Sequence, residues 1–190
     1  MIKFMDANVQ PAAKKEETPV MMFFKTILRE IGPMVIVFLT VFLLSRTVFL
    51  FATIPTASMV PTLQNPCWVL SLRTAYWFDS PEQGDIVLFQ RDNGEEVVYA
   101  KRVIGMPGDT IEICGGVTYI NGNVYEEDYL AETPEALNFG PYVVPDDHYF
   151  MMGDNRNNSQ DSRYWEEHFV SEDNVLSKVV FHIGKNSGAS

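Results

Sequence analysis

The chain has 190 residues, which is long enough for one globular domain with a sizeable core and a short appendage. Its formal net charge is -11, and the residues after 53 hold 21 Asp and Glu against eight Lys and Arg. A domain this acidic is a poor partner for nucleic acid, because phosphate contacts require clustered cations.

The first feature along the chain is a long apolar run. Residues 33–51 read PMVIVFLTVFLLSRTVFLF and would form a helix of about 28 Å, close to the hydrocarbon thickness of a bilayer. Its one charge, Arg46, lies near the outer end, where the side chain can reach the interface. The cations that precede the run predict a cytoplasmic N-terminus. We therefore expect a cytoplasmic tail over residues 1–32 and an uncleaved transmembrane anchor over residues 33–53; a cleavable signal peptide would have a shorter apolar region.

The rest of the chain is rich in short, apolar or alternating runs that predict β-strands. Gly115-Gly116 indicates a two-residue hairpin, and residues 126–145 are polar and predict an irregular surface segment. No helices alternate with the strands, so we expect a mainly β, antiparallel domain over residues 54–184 and a C-terminal tail over residues 185–190. The predicted strands are residues 67–72, 85–90, 97–104, 110–114, 117–120, 148–152 and 175–183.

Two cysteines, Cys67 and Cys114, lie in apolar strand-like runs. Neither has a second cysteine or a histidine at the spacing of a metal site, so we expect no bound metal. Buried free thiols are the simplest interpretation, and a disulfide is allowed if the domain lies outside the cytoplasm.

Two runs have the composition of the halves of one active site. Ser58 lies in IPTASMVPTL (residues 54–63), and Lys101 lies in YAKRVIGMPGD (residues 99–109). A serine hydroxyl needs a nearby base, and a lysine can be that base only where its surroundings keep it neutral. Strand alternation places Lys101 on one face with valines and Tyr99, and desolvation there would lower its pKa.

A third run, GDNRNNSQDSR (residues 153–163), and the GDIV stretch at residues 84–87 complete a set of motifs in a fixed order. Together with the apolar run, this set resembles the bacterial type I signal peptidases, membrane-bound serine proteases that remove signal peptides from exported proteins. The resemblance extends to about residue 183. It implies a signal-peptidase-like β fold, preprotein substrates, no cofactor, and a catalytic domain on the outer face of the cell membrane. We expect a monomer that contacts the lipid bilayer.

The resemblance also implies roles for individual residues. Ser58 would be the acylated nucleophile and Lys101 its general base, while the Ser58 N–H and the Thr56 hydroxyl would stabilise the oxyanion. Ser159 would orient the lysine. The remaining implied residues are a structural ion pair, Asp161 and Arg163, with Asp154 and Arg156 supporting the same loop. From their apolar character alone, Ile54, Met59 and Val103 are candidate walls of the substrate pocket.

Other chemistries fit the residues less well. A Ser-His-Asp triad could use His148, His168 or His182, but no Gly-x-Ser-x-Gly elbow is present, and a zinc protease would need His-Glu-x-x-His. Self-cleaving Ser-Lys proteases of the SOS-repressor type lack a membrane span. A catalytically silent, membrane-anchored β-domain that binds exported polypeptides remains the alternative from another functional class.

Overall fold

The computed structural model describes residues 18–91, 94 and 97–184. The chain divides into two compact units after Leu44, and all the strands lie in the second unit. Most of the predicted N-terminal tail and the whole C-terminal tail lie outside the described residues. In chain order the elements are α1 (Pro19–Val48), β1 (Phe49–Ile54), β2 (Cys67–Leu72), β3 (Ile86–Phe89), β4 (Tyr99–Gly105), β5 (Thr110–Cys114), β6 (Val117–Ile120), β7 (Asn123–Val124), β8 (Phe139–Val143), β9 (His148–Met152), β10 (Val170–Ser171) and β11 (Val175–Gly184), with short 3₁₀ turns at Arg73–Tyr76, Arg156–Asn158 and Glu172–Asn174.

Helix α1 begins earlier and ends earlier than the predicted span. It has 30 residues, includes Pro33, and buries none of its side chains within the protein. By length and composition it could cross a membrane. Residues 49–53, which we predicted as the end of the span, form most of β1 instead. The reason is that Phe49–Ile54 pairs residue by residue with Cys67–Leu72, so β2 supplies the hydrogen bonds that a longer helix would have supplied.

The larger sheet contains seven of the strands found among the described residues, in the order β1-β2-β11-β3-β4-β9-β10. Neighbouring strands are antiparallel throughout, which confirms the predicted fold class. Strand β4 lies inside the sheet, with β3 on one side and β9 on the other. Its side chains are therefore fixed by neighbours on both edges.

The smaller sheet has the order β7-β6-β5-β8. Gly115 and Gly116 join β5 to β6 with φ angles of +59° and +85°, which confirms the predicted hairpin. Our expectation that residues 126–145 are irregular was wrong in part, because Phe139–Val143 forms β8 and pairs with β5. The Gly140-Pro141 step within this strand conceals its pattern in the sequence.

Strand alternation divides the core of the second unit between the two faces of the larger sheet. One cluster contains Met59, Leu88 and Ala100, and another contains Val87 and Val103. A third cluster joins the smaller sheet to β9. Cys67 is buried and Cys114 is exposed, and both are free thiols, so the expectation that both are buried was wrong for Cys114.

Candidate active site

Ser58 lies in the loop that follows β1, and the residue is 9% exposed. The next apolar side chains of the loop, Met59 and Leu63, are fully buried and anchor it in the core. A turn hydrogen bond joins the Val60 N–H to the Ala57 carbonyl at 3.2 Å. The Ser58 N–H donates to no acceptor within the described part of the chain.

Thr56 is exposed beside Ser58. Its Oγ1 lies 3.4 Å from the Ser58 Oγ, and either hydroxyl can be the donor at this distance. A threonine hydroxyl can rotate about its C–O bond, so it can redirect its proton towards another acceptor in the same space.

Lys101 lies on β4 and is almost completely buried, with 3% of its surface exposed. Val87 lies directly across from it on β3. Burial lowers the pKa of Lys101 to about 8, with smaller opposing effects from Asp161 and Asp154, which raise it, and a further lowering by Arg163. The side chain is therefore a much better proton acceptor near neutral pH than an exposed lysine.

Ser159 is the hydrogen-bond partner of Lys101. The Lys101 Nζ donates to the Ser159 Oγ at 3.1 Å, and both side chains are buried. Ser159 follows the 3₁₀ turn Arg156–Asn158 in residues 153–163, which we call the 153–163 loop. This contact fixes the position of the ammonium group relative to that loop.

Asp161 and Arg163 form an ion pair inside the 153–163 loop. The Arg163 Nε donates to the Asp161 Oδ1 at 2.8 Å, and its Nη2 donates to the Asp161 Oδ2 at 2.9 Å. The same carboxylate accepts the Gly153 N–H at 3.0 Å, and the Arg163 Nη2 also donates to the Arg156 carbonyl. The pair therefore closes the loop on itself around Ser159.

Two other charges of the loop have partners that the sequence did not reveal. Asp154 accepts from Arg102, at 2.9 Å from the Nε and 2.6 Å from the Nη2. Arg156 makes a bidentate pair with Glu127, and its Nε donates to the Gly153 carbonyl at 3.1 Å. Glu127 belongs to the segment predicted to be a surface excursion, so this part of the chain instead supports the loop.

Asn155 and Gly153 join the 153–163 loop to the loop of Ser58. The Asn155 N–H donates to the Ser58 carbonyl at 3.0 Å, and its Nδ2 donates to the Ala57 carbonyl at 3.1 Å. Gly153 approaches the Ser58 carbonyl and the Ser159 hydroxyl so closely that a side chain would collide with both. Asn155 was part of the sequence motif, but nothing in its pattern indicated this contact.

Ser58 and Lys101 line the same cleft, which has a volume of about 340 Å³. Of the three candidate pocket walls, Ile54 lines the cleft, whereas Met59 and Val103 do not and are fully buried in the core. The surface of the cleft is mixed apolar and polar, formed by residues Thr53, Ile54, Pro55, Thr56, Ala57, Ser58, Val97, Val98, Tyr99, Ala100, Lys101, Asn158 and Gln160.

None of the three histidines lines this cleft. The Nδ1 of His148 lies 2.7 Å from the Asp146 carbonyl, and that of His168 lies 2.6 Å from the Ser162 carbonyl. His182 is an exposed residue of β11. No group of metal-ligating side chains that could hold an ion occurs among residues 18–91, 94 and 97–184.

Comparison with known proteins gives a consistent result. A family model described as signal peptidase, peptidase S26, matches residues 27–183. The chain is 36% identical over 181 residues to signal peptidase I of Leptolyngbya laminosa, covering 90% of this chain and 84% of that protein. It is 39% identical over 169 residues to signal peptidase I S of Bacillus subtilis strain 168, covering 83% and 90%.

Two further matches are shorter. The chain is 40% identical over 131 residues to probable signal peptidase I-2 of Synechocystis, and that match covers 66% of this chain and 59% of the relative. Among solved structures, a signal peptidase I from Enterococcus faecalis V583 is 33% identical, with a TM-score of 0.47. That match covers 54% of this chain and 98% of the other.

Proposed function

Because this chain belongs to the signal peptidase family, peptidase S26, and is a serine peptidase, we propose that it cleaves signal peptides with a Ser58-Lys101 dyad. The observation that carries the proposal is the state of Lys101. Its amine is buried, has a pKa of about 8, donates to Ser159, and lines the same cleft as Ser58. Lys101 is the one Lys or Arg among the described residues that line the cleft, so no second lysine or arginine there competes for the role of base.

The acylation step begins with neutral Lys101. Its amine takes the proton of the Ser58 hydroxyl while the Ser58 Oγ attacks the carbonyl carbon of the scissile peptide bond. The resulting tetrahedral intermediate collapses when its C–N bond breaks. The Lys101 ammonium donates its proton to the leaving amine, which frees the mature protein and leaves the signal peptide esterified to Ser58.

Deacylation repeats these steps with water. Neutral Lys101 takes a proton from a water molecule, whose oxygen attacks the ester carbonyl. The intermediate then collapses, the Ser58 Oγ recovers its proton from Lys101, and the signal peptide leaves as a carboxylic acid.

Both steps place negative charge on the carbonyl oxygen, and donors already aimed at this oxygen lower the barrier. The Ser58 N–H has no acceptor in the described part of the chain, and the Thr56 hydroxyl lies beside the Ser58 Oγ. These two groups are our candidates for the oxyanion hole. Three further residues have a positioning role: Ser159 holds the lysine, and Asp161 and Arg163 hold the loop around it.

The decisive test is Ser58→Ala in the full-length protein in detergent, incubated with a preprotein and followed by N-terminal sequencing of the product. We expect parental protein and a Ser80→Ala control to release the mature protein, and Ser58→Ala to release none. Cleavage by Ser58→Ala at the parental rate would contradict the dyad. A parental protein that binds preproteins without cutting them would favour the alternative, a silent binding domain.

We also propose that α1 anchors the protein in the cell membrane, with the N-terminus in the cytoplasm and the β-domain outside. Its length and apolar composition support a span, and the cations before residue 33 support the orientation. The exposed thiol of Cys114 provides the test, because Cys67 is buried. A membrane-impermeant maleimide should label intact spheroplasts through Cys114 and not label Cys114→Ser. Labelling that requires lysis would reverse the proposed orientation.

A further inference from the structure

We propose that Asn155 is a positioning residue that fixes the direction of the Ser58 backbone N–H, the first candidate donor of the oxyanion hole. The inference rests on the function proposed above, because it concerns the same site. It assigns to Asn155 a task distinct from that of Ser159: Ser159 holds the base, and Asn155 holds the donor that stabilises the developing charge.

The argument begins with the geometry of a peptide bond. The carbonyl of one residue and the N–H of the next lie in one plane and point in opposite directions when the bond is trans. The Ala57 carbonyl and the Ser58 N–H belong to the same peptide unit. Any group that fixes the direction of the Ala57 carbonyl therefore fixes the direction of the Ser58 N–H as well.

Asn155 is such a group. Its Nδ2 donates to the Ala57 carbonyl at 3.1 Å, and its own N–H donates to the Ser58 carbonyl at 3.0 Å. Residue 155 thus holds the carbonyls on both sides of the Ser58 N–H. The side-chain contact requires a donor such as this amide, because a carbonyl oxygen only accepts and a carboxylate cannot donate to it.

A second observation shows that the direction of this N–H is not set by a partner of its own. Ser58 is 9% exposed, yet its N–H donates to no acceptor in the described part of the chain. Most backbone N–H groups in the interior of a protein have a partner in the chain, and Ser58 lines the cleft. In this loop the donor is available for an oxygen atom of the substrate.

Val60 contributes to the same restraint. Its N–H also donates to the Ala57 carbonyl, at 3.2 Å, within the turn that contains Ser58. Loss of the Asn155 amide should therefore loosen the peptide plane without releasing it. We expect a partial loss of transition-state stabilisation, smaller than the loss that would follow if the Ser58 N–H were absent altogether.

The experiment compares Asn155→Asp and Asn155→Ala with the parental full-length enzyme in detergent. Asn155→Asp keeps the shape and the backbone N–H but removes the side-chain donor. We expect kcat to fall about 10- to 100-fold while KM for the preprotein stays at the parental value, because the missing interaction acts in the transition state. In Asn155→Ala, which adds no charge, the pH midpoint of the rate should stay unchanged, since the Lys101–Ser159 contact is intact.

A peptide aldehyde that ends in alanine supplies a readout that a merely structural defect would not reproduce. The Ser58 Oγ would add to the carbonyl of the aldehyde, and the carbonyl oxygen would then lie in the proposed oxyanion hole. The inhibition constant of the aldehyde should therefore rise by the same factor as kcat/KM falls. Asn157→Asp is the matched control: it makes the same substitution in the same loop, but its amide contacts residues 132–135. We expect Asn157→Asp to cleave at the parental rate.

Three results would overturn the proposal. They are parental kcat in both Asn155 variants, a rise of KM with kcat unchanged, and a fall of kcat without weaker binding of the aldehyde. Each differs from failure of the proposed function itself, which would appear as cleavage by Ser58→Ala or as an inactive parental enzyme.

Discussion

The two halves of the site are held in different ways. Lys101 belongs to a strand inside the larger sheet, between β3 and β9, and its burial is a consequence of that position. Ser58 belongs to a loop, and its position depends on contacts from the 153–163 loop, nearly a hundred residues away in the chain. The sheet therefore sets the proton affinity of the proposed base, whereas the loops set the position of the proposed nucleophile.

The same loop reaches both halves. Ser159 accepts from Lys101, Asn155 donates to residues 57 and 58, and Gly153 lies against both contacts. The loop therefore sets the separation between base and nucleophile. Changes at Lys101, or at the loop charges Asp161, Arg163 and Asp154, should alter the proton affinity of the lysine. Changes at the uncharged Gly153 and Asn155 should alter alignment instead.

The largest effect should follow Lys101→Arg. Arginine keeps the positive charge but cannot act as a base at accessible pH, so the rate should fall at least about 1,000-fold. Preprotein cleavage measured between pH 7 and pH 9 gives the result. If the variant cleaved at close to the parental rate, the lysine would act through charge and the dyad would be wrong.

A second substitution of Lys101 tests how its lowered pKa affects the stability of the protein rather than the rate of cleavage. The pKa of Lys101 falls from 10.5 in the unfolded chain to about 8 in the folded protein. Between these values only the unfolded chain binds the proton, so the contribution of Lys101 to stability rises with pH, by about 3 kcal/mol in total. We expect Lys101→Met to be more stable than the parental protein below pH 8, with the difference shrinking towards pH 10.5.

Thermal unfolding of both proteins in the same detergent would measure this difference. Subtracting one curve from the other removes the contributions of the other titrating groups. A stability difference that is constant from pH 7 to pH 10.5 would show that the pKa of Lys101 is not lowered.

In the loop, Gly153→Ala should reduce the rate by about 100-fold, the typical cost of moving catalytic groups by about 1 Å. The new methyl group would press on the Ser58 carbonyl and the Ser159 hydroxyl and move the two halves apart. Gly32→Ala is a suitable control, because nothing lies within 4 Å of a methyl group there. Parental activity of Gly153→Ala would mean that the loop does not set the separation.

The smallest effect should come from Thr56. Thr56→Val removes the hydroxyl but keeps the shape. Because Thr56 is exposed, water can replace part of its hydrogen bond, and we expect roughly a 10-fold loss of kcat, less than the usual cost of losing an oxyanion donor. Thr56→Ser keeps the hydroxyl and should retain parental kcat. Equal activity of the valine and serine variants would exclude Thr56 from the oxyanion hole.

The sequence predicted the strands well because their apolar runs are short and bounded by turn residues. It did not predict β8, whose Gly140-Pro141 step resembles a loop, or β1, whose apolar residues continue directly from α1. In both cases the pairing partner decides the structure: β5 for β8 and β2 for β1. Pairing with a distant strand is not contained in a local pattern.

The candidate site shows the same division. The motifs indicated Ser58, Lys101 and Ser159 as candidates, and strand alternation predicted the apolar surroundings of the lysine. The pair of Arg156 with Glu127 could not be predicted, because 29 residues separate the two and Glu127 lies in a polar segment without periodicity. Met59 and Val103 were expected to line the pocket because they are apolar. Their side chains are instead packed in the core.

The low pKa of Lys101 has a consequence for the amount of enzyme that protein export requires. With a pKa of about 8, about 9% of the enzyme carries a neutral lysine at pH 7 and about 1% does so at pH 6. For a catalytic domain that faces the outside, as we propose, the acidity of the medium then sets the working fraction of the enzyme population. A cell growing at pH 6 would need roughly ten times as many copies as one at pH 7 to process the same flux of exported proteins.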